Sequence, residues 1–322
     1  MSDVRLPRDA ATAVRSPGPS LFVSGDFPRH RWPLVLAAVV AGLFVAYAWS
    51  ADLVDDQIGV TTARGVLGHD PTAPIGSVLS GILFAFVSGL AGSFTACNIA
   101  AFGAVGPLVG GSAGRRERFL GTVKPLGWVS AGMFPVSAAY GVVVGLVGTS
   151  MPQFSTASAS GLTPRTVQSM VAFGLVGVAM VVLGLAAAGV VQDPLARVAR
   201  RFRHAPLILM GALMGGFLVG RPYPLFRNLF RHAAETHDPL YGAVAFCLQS
   251  LGNIIVMFLL FLILSYGTGG RLGAWMAGKP GRIATVTASA FLVAGVFTLA
   301  YWELRVLGRL GYIWWPDAPW SA

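Results

Sequence analysis

Hydrophobic positions along this chain come in long unbroken runs, and the arginines fall in the short stretches between them. Apolar runs of more than about 18 residues mark helices that cross a bilayer, which takes about 20 residues. Seven such runs are predicted, over 32–50, 76–98, 126–148, 167–191, 206–224, 241–266 and 283–303. The second extends in broken form to Pro107. The expected fold class is all-α: a polytopic membrane protein of about seven transmembrane helices.

Composition agrees, because 55% of the 322 residues are hydrophobic and only 11% are charged, against about 25% charged in soluble domains. The formal charge of +10 changes the picture only through where it lies. Sixteen Lys and Arg sit in the N-terminal segment and in the connections after the second, fourth and sixth runs; seven sit in the remaining connections and the C-terminal tail. The richer side is expected to face the cytoplasm. This puts the N-terminus inside, the C-terminus on the outer face, and the chain in the cell (inner) membrane with lipid as its surroundings. The basic balance thus reports topology and not a nucleic-acid partner. The first run ends in Ala46-Tyr47-Ala48, which resembles a signal-peptidase site, but the long segment before it favours a retained anchor. The expected organisation is a mobile cytoplasmic tail over 1–31, an anchor over 32–50, a transmembrane domain over 75–305 and an outer-face tail over 306–322. That tail holds Arg309, with Trp314, Trp315 and Trp320 as interfacial anchors.

The runs hold almost no ionisable residue, which weighs against an ion pump relying on intramembrane charge and against a buried site for a divalent metal. His232, Glu235, His237 and Asp238 share one loop, read as solvated. No nucleotide, metal or cofactor motif is visible, so no metal and no cofactor is expected.

Two places break the helical pattern. The first is GSFTACNIAAFGAVGP, Gly92 to Pro107, holding Ser93, Asn98 and Cys97, one of two cysteines. The second is GRPYPLFRNLF, Gly220 to Phe230, with Arg221, Pro222 and Pro224. Small residues let helices approach closely, and proline interrupts the hydrogen-bond ladder. Unwound backbone at membrane depth is tolerated only inside protein or along a cavity. Three runs separate the two breaks. This predicts a 3+3 inverted repeat, preceded by the extra first helix, with the site where the broken helices meet. Laying Gly92 on Gly220 sets Cys97 against Leu225.

From residue 75 to 305 the chain resembles the transmembrane domain of the CcdA/DsbD family of thiol-disulfide carriers, also known from cytochrome c biogenesis. GLAGSFTACNIAAFGAVGP is similar to that family's G-x-x-S-F-x-x-P-C motif, with Cys97 in the cysteine place and Ala96 in the proline place. DPLYGAVAFCLQSLGNIIVMFLLFLIL is similar to the span after the second motif. The resemblance implies a thiol passing electrons or disulfides to a periplasmic client or thiol carrier. One branch of the fold, the MauF proteins of methylamine utilisation, implies instead maturation of methylamine dehydrogenase. Leu225 stands where the family's second cysteine would be, so a two-cysteine shuttle is not expected.

Cys97 has two readings, a tentative catalytic thiol or a small buried hydrophobe. Cys247 is expected to be packing. Gln249 and Asn253, four apart on one helix face, either bond between helices or line the cavity. The function expected is maturation of a periplasmic redox protein; the alternative is export of a small solute or metal. Whether this is enzymatic stays open.

Overall fold

A computed structural model describes residues 20–92, 98, 101, 115–154, 161–220, 223–268, 271, 275–276, 278–279, 281–316 and 318–320, apart from 24, 26, 51–52, 54–56, 58 and 69. Cys97, Ser93, Pro107, Arg221 and Pro222 therefore lie outside the described residues.

The described elements are all helical. They are α1 (Arg31–Ala48), α2 (Thr61–Leu67), α3 (Val78–Ala91), α4 (Arg115–Val147), α5 (Pro164–Ala187), α6 (Ala196–Arg201), α7 (Ala205–Gly220), α8 (Pro224–Thr236), α9 (Pro239–Gly267), α10 (Arg282–Leu299) and α11 (Arg305–Arg309). Two 3₁₀ turns, Gly148–Ser150 and Pro152–Phe154, follow α4, and a π-helical segment, Ala300–Leu304, joins α10 to α11. Among the described residues, five helices are long and apolar enough to cross a membrane. A sixth span forms if α7 and α8 count as one element, bent by 79°. The chain is an all-helical, multi-pass membrane protein.

The helix starts follow from local chemistry. Ser77 caps α3 in a capping box with Ser80, Thr163 caps α5 ahead of Pro164, and Asp238 caps α9 ahead of Pro239. Each supplies a side-chain acceptor for N–H groups that have no partner in the first turn.

Two elements depart from the expected runs. The helix of the second run, α3, spans 14 residues, or about 21 Å at 1.5 Å per residue. Pro224 opens a further helix, α8, where the sequence reads as a loop. It buries Leu225, Phe226, Leu229, Phe230, Ala233 and Ala234 on one stripe, the spacing of an amphipathic helix.

The repeat is visible in how the helices touch. The main contacts are α4 with α9, α4 with α7, α5 with α10, and α3 with α9. Exchanging α3–α4–α5 with α7–α9–α10 turns α4/α7 into α9/α3 and leaves the other two pairs unchanged. The close approaches repeat as well. A methyl group at Gly132 would run into the Ile208 carbonyl, and one at Gly211 into the Val129 carbonyl. One at Gly252 would meet the Phe86 carbonyl, and one at Gly89 the Gln249 carbonyl. In both crossings each glycine faces the carbonyl three residues before the other glycine, so backbones touch without side chains between them. The central pair, α4 and α9, makes its own reciprocal contact at Gly141 and Gly242. Two spans lie between each matched pair of helices, so the halves run in opposite directions. Outside the repeat, α1 packs along α10, with Val296 filling the space above Gly42.

Candidate functional site

Polar groups inside the bundle collect at two places, one beside each break. At the first, Gly92 closes α3, donating its N–H to the Ser88 carbonyl. Asn98 is 4% exposed, and its Nδ2 donates to Oδ1 of Asn253 in the middle of α9, at 2.8 Å. One turn earlier on α9, Gln249 is 1% exposed, and among the described residues neither of its amide atoms has a hydrogen-bond partner. It sits where Gly89 crosses, with the Ser88 hydroxyl also buried and without a partner. Ser250 faces the other way and shares a 2.7 Å hydrogen bond with Ser137 of α4. The structure thus brings together Asn98 and Asn253 and keeps Gln249 on the same stretch of α9, as the spacing of the two amides predicts.

At the second break the question is what satisfies the end of α7. Prolines at 222 and 224 do not let the helix continue, so the carbonyls of its last turn have no N–H of the same helix to accept. Three side chains converge on the Val219 carbonyl instead. Gln168 Nε2 donates to it at 2.9 Å, Gln153 Nε2 donates to it, and the Tyr140 hydroxyl reaches it at 3.5 Å. Tyr140 also donates to Gln153 Oε1 at 2.9 Å and accepts from Gln168 at 3.3 Å. Donors from the turn after α4 and from α5 therefore hold the end of α7, and the Tyr140 hydroxyl of α4 ties the two donating amides together, the arrangement that buried, non-helical backbone requires. Pro224 is at the first position of α8. Gly220 has Phe173 and the Ser169 carbonyl against it, and Leu225 is fully buried among Phe84, Tyr140, Phe226 and Phe246.

Sequence reasoning missed Tyr140, Gln153 and Gln168. The only sequence signal was partial: three hydrogen-bonding side chains in or beside apolar spans, with nothing in the spacing to tie them to the distant proline pair.

Cys247 is partly buried, and its thiol points at the Phe134 carbonyl at 3.7 Å, consistent with packing. Among the described residues no group of three His, Cys, Asp or Glu is placed to hold a metal ion.

A cavity of about 420 Å³ opens beside the second break, lined by Gln153, Arg165, Ser169, Gly220, Arg227, Trp302 and Arg309 among others. Arg309 is therefore part of a wall and not of a remote tail, because α11 continues α10 through the π segment. A second cavity, of about 400 Å³, lies between α8 and residues 72–75 and shares Arg227.

No protein-family model, no curated protein and no solved structure matches the chain.

Proposed function

We propose that this chain is an inner-membrane factor for the maturation of a periplasmic redox protein, working through thiol-disulfide handling at Cys97 in the manner of the CcdA/DsbD-like domains it resembles. What supports the reading is the placement of Asn98, the residue after Cys97. It is buried against the middle of α9 by Asn253, inside a repeat whose other half is bent between α7 and α8. A thiol can exchange only where a partner sulfur reaches it, which a lipid-facing position forbids and the interior of a broken repeat permits. The N-terminal end of the bundle, richer in arginine, faces the cytoplasm in this reading.

One cysteine suffices for disulfide reshuffling. The Cys97 thiolate attacks a client disulfide, forming a mixed disulfide and releasing one client thiolate. A client thiolate then attacks the mixed bond and frees Cys97, with no net change in electrons. Cys97→Ser preserves volume. The variant is expected to accumulate normally in the membrane while its client fails to mature. A client lacking its resolving cysteine is expected to be trapped on the native chain and not on the variant. Full maturation with Cys97→Ser would refute the thiol reading.

A second reading, export of a small solute, draws on the buried Gln249 amide without a partner at mid-span. Gln249→Leu would abolish efflux in that case, while Cys97→Ser would not.

A further inference from the structure

The cavity beside the second break brings three guanidinium groups together from three separate elements. Arg165 comes from the first turn of α5, Arg227 from α8 and Arg309 from the last turn of α11. Gln153, 8% exposed, and Ser169 add hydrogen-bonding groups to the same wall, and Trp302 and Phe230 close it with aromatic faces. No carboxylate lines it among the described residues. The nearest acidic side chain on the same helix as the wall, Glu303, is turned to Gly174 of α5 instead.

Burial and the guanidiniums of Arg165 and Arg231 hold Arg227 below its ordinary pKa range. Of the cavity's cations, Arg165 and Arg227 thus work against one another, and an anion between them would relieve that repulsion. A bundle that carries few charges places these three on one cavity, at the end of the molecule where α5 begins and α11 stops. The volume falls within the range of small-molecule sites, about 300–1,000 Å³. Arginine forks match tetrahedral oxyanions with paired hydrogen bonds, and the N-terminus of α5 adds a partial positive charge on the same side.

We infer that the cavity walled by Arg165, Arg227 and Arg309 is a binding site for a phosphate-type oxyanion, carried either by a small soluble phosphoryl compound or by the headgroup of an anionic lipid. The site is separate from the amide cluster at Asn98 and does not depend on the thiol reading. An aromatic and apolar floor under a ring of arginines suits a phosphoryl group attached to an organic body better than a bare ion.

The test uses the full chain in nanodiscs. In neutral phosphatidylcholine discs, inorganic pyrophosphate is titrated by calorimetry. In discs containing phosphatidylglycerol, lipid retained through size exclusion is counted by native mass spectrometry. Saturable pyrophosphate binding identifies a soluble ligand. Retained phosphatidylglycerol that pyrophosphate displaces identifies a headgroup. In either case Arg227→Gln is expected to weaken binding at least tenfold, and Arg227→Lys by less. Arg200→Gln, in α6 at the opposite end of the bundle, is expected to leave it unchanged. Size exclusion and circular dichroism verify that each variant is folded. If neither probe binds the native chain, or if folded Arg165→Gln and Arg227→Gln variants bind as the native chain does, the inference is overturned.

Discussion

Asn253 and Gln249 lie one turn apart on α9, both buried, yet they differ in what they contribute. Asn253 accepts a hydrogen bond from Asn98, whereas the Gln249 amide has no partner. Buried interhelical hydrogen bonds in membranes are worth about 0.6–2 kcal/mol, and an unmet buried amide carries a desolvation cost. Asn253→Leu is therefore expected to lower thermal stability in detergent by about 1–2 kcal/mol, leaving Asn98 without its acceptor. Gln249→Leu is expected to be neutral or stabilising. Equal losses in both variants would show that Gln249 bonds in the folded state. The spacing of these two residues was enough to place them on one face, because α-helical geometry fixes it. Which of them is partnered was not legible, since that depends on a residue about 150 positions away in sequence. The Val219 carbonyl makes the same point. The prolines announce a helix end without donors, but that Gln153 and Gln168 supply them, held by Tyr140, is decided by packing among separate elements. Gln168→Leu removes one donor to that carbonyl and is expected to cost about 1 kcal/mol, read as a lower unfolding midpoint.

Helix crossings set the spacing of the bundle, and glycines set the crossings. Gly211→Val would drive side-chain atoms into the Val129 carbonyl of α4, and Gly89→Val would do the same to Gln249 of α9. Both variants are expected to reduce the folded yield severely, since backbone cannot step aside as a side-chain tip can. Gly216, on the same helix as Gly211, has nothing within reach of an added methyl. Gly216→Ala is expected to stabilise by about 0.5–1 kcal/mol, measured in the same unfolding experiment. The long runs and the break after Gly220 were legible because apolar length and proline placement act locally. The register between the halves was not. Matching Gly92 to Gly220 pairs the breaks, whereas the contacts pair Gly89 with Gly211. The difference arises because α7 continues nine residues past its crossing glycine and α3 only two. Helix α8 was also hidden, because its arginines give it the composition of a loop while its apolar residues keep the 3.6-residue period.

Across the whole molecule, charge separates to the two ends of the bundle. The ends of α4, α7 and α11 meet the starts of α5 and α8 at one pole, where Arg165, Arg227 and Arg309 share a cavity. The starts of α1, α4 and α10 mark the other, where Arg31 donates to the Gly189 carbonyl past the end of α5. In the proposed orientation the first pole is periplasmic. A cysteine-reactive, membrane-impermeant reagent is then expected to label a cysteine introduced at the exposed Trp314 in intact cells and not one introduced at Arg200; the reverse pattern would invert the topology. Between the poles, the π segment at Ala300–Leu304 behaves as an angular offset. Each residue of a helix turns it by about 100°, and a π turn holds one more residue than the α-helix it interrupts. Everything after it is thereby rotated about the axis while the axis continues. That rotation aims Arg305 at the Trp49 carbonyl and places Arg309 on the cavity wall. Were the same residues wound as an uninterrupted α-helix, the length and hydrophobicity of the element would be nearly the same. That winding would nevertheless swing both arginines about a quarter turn away from what they face, so a change that leaves the apolar pattern untouched is enough to part them from the Trp49 carbonyl and the cavity wall.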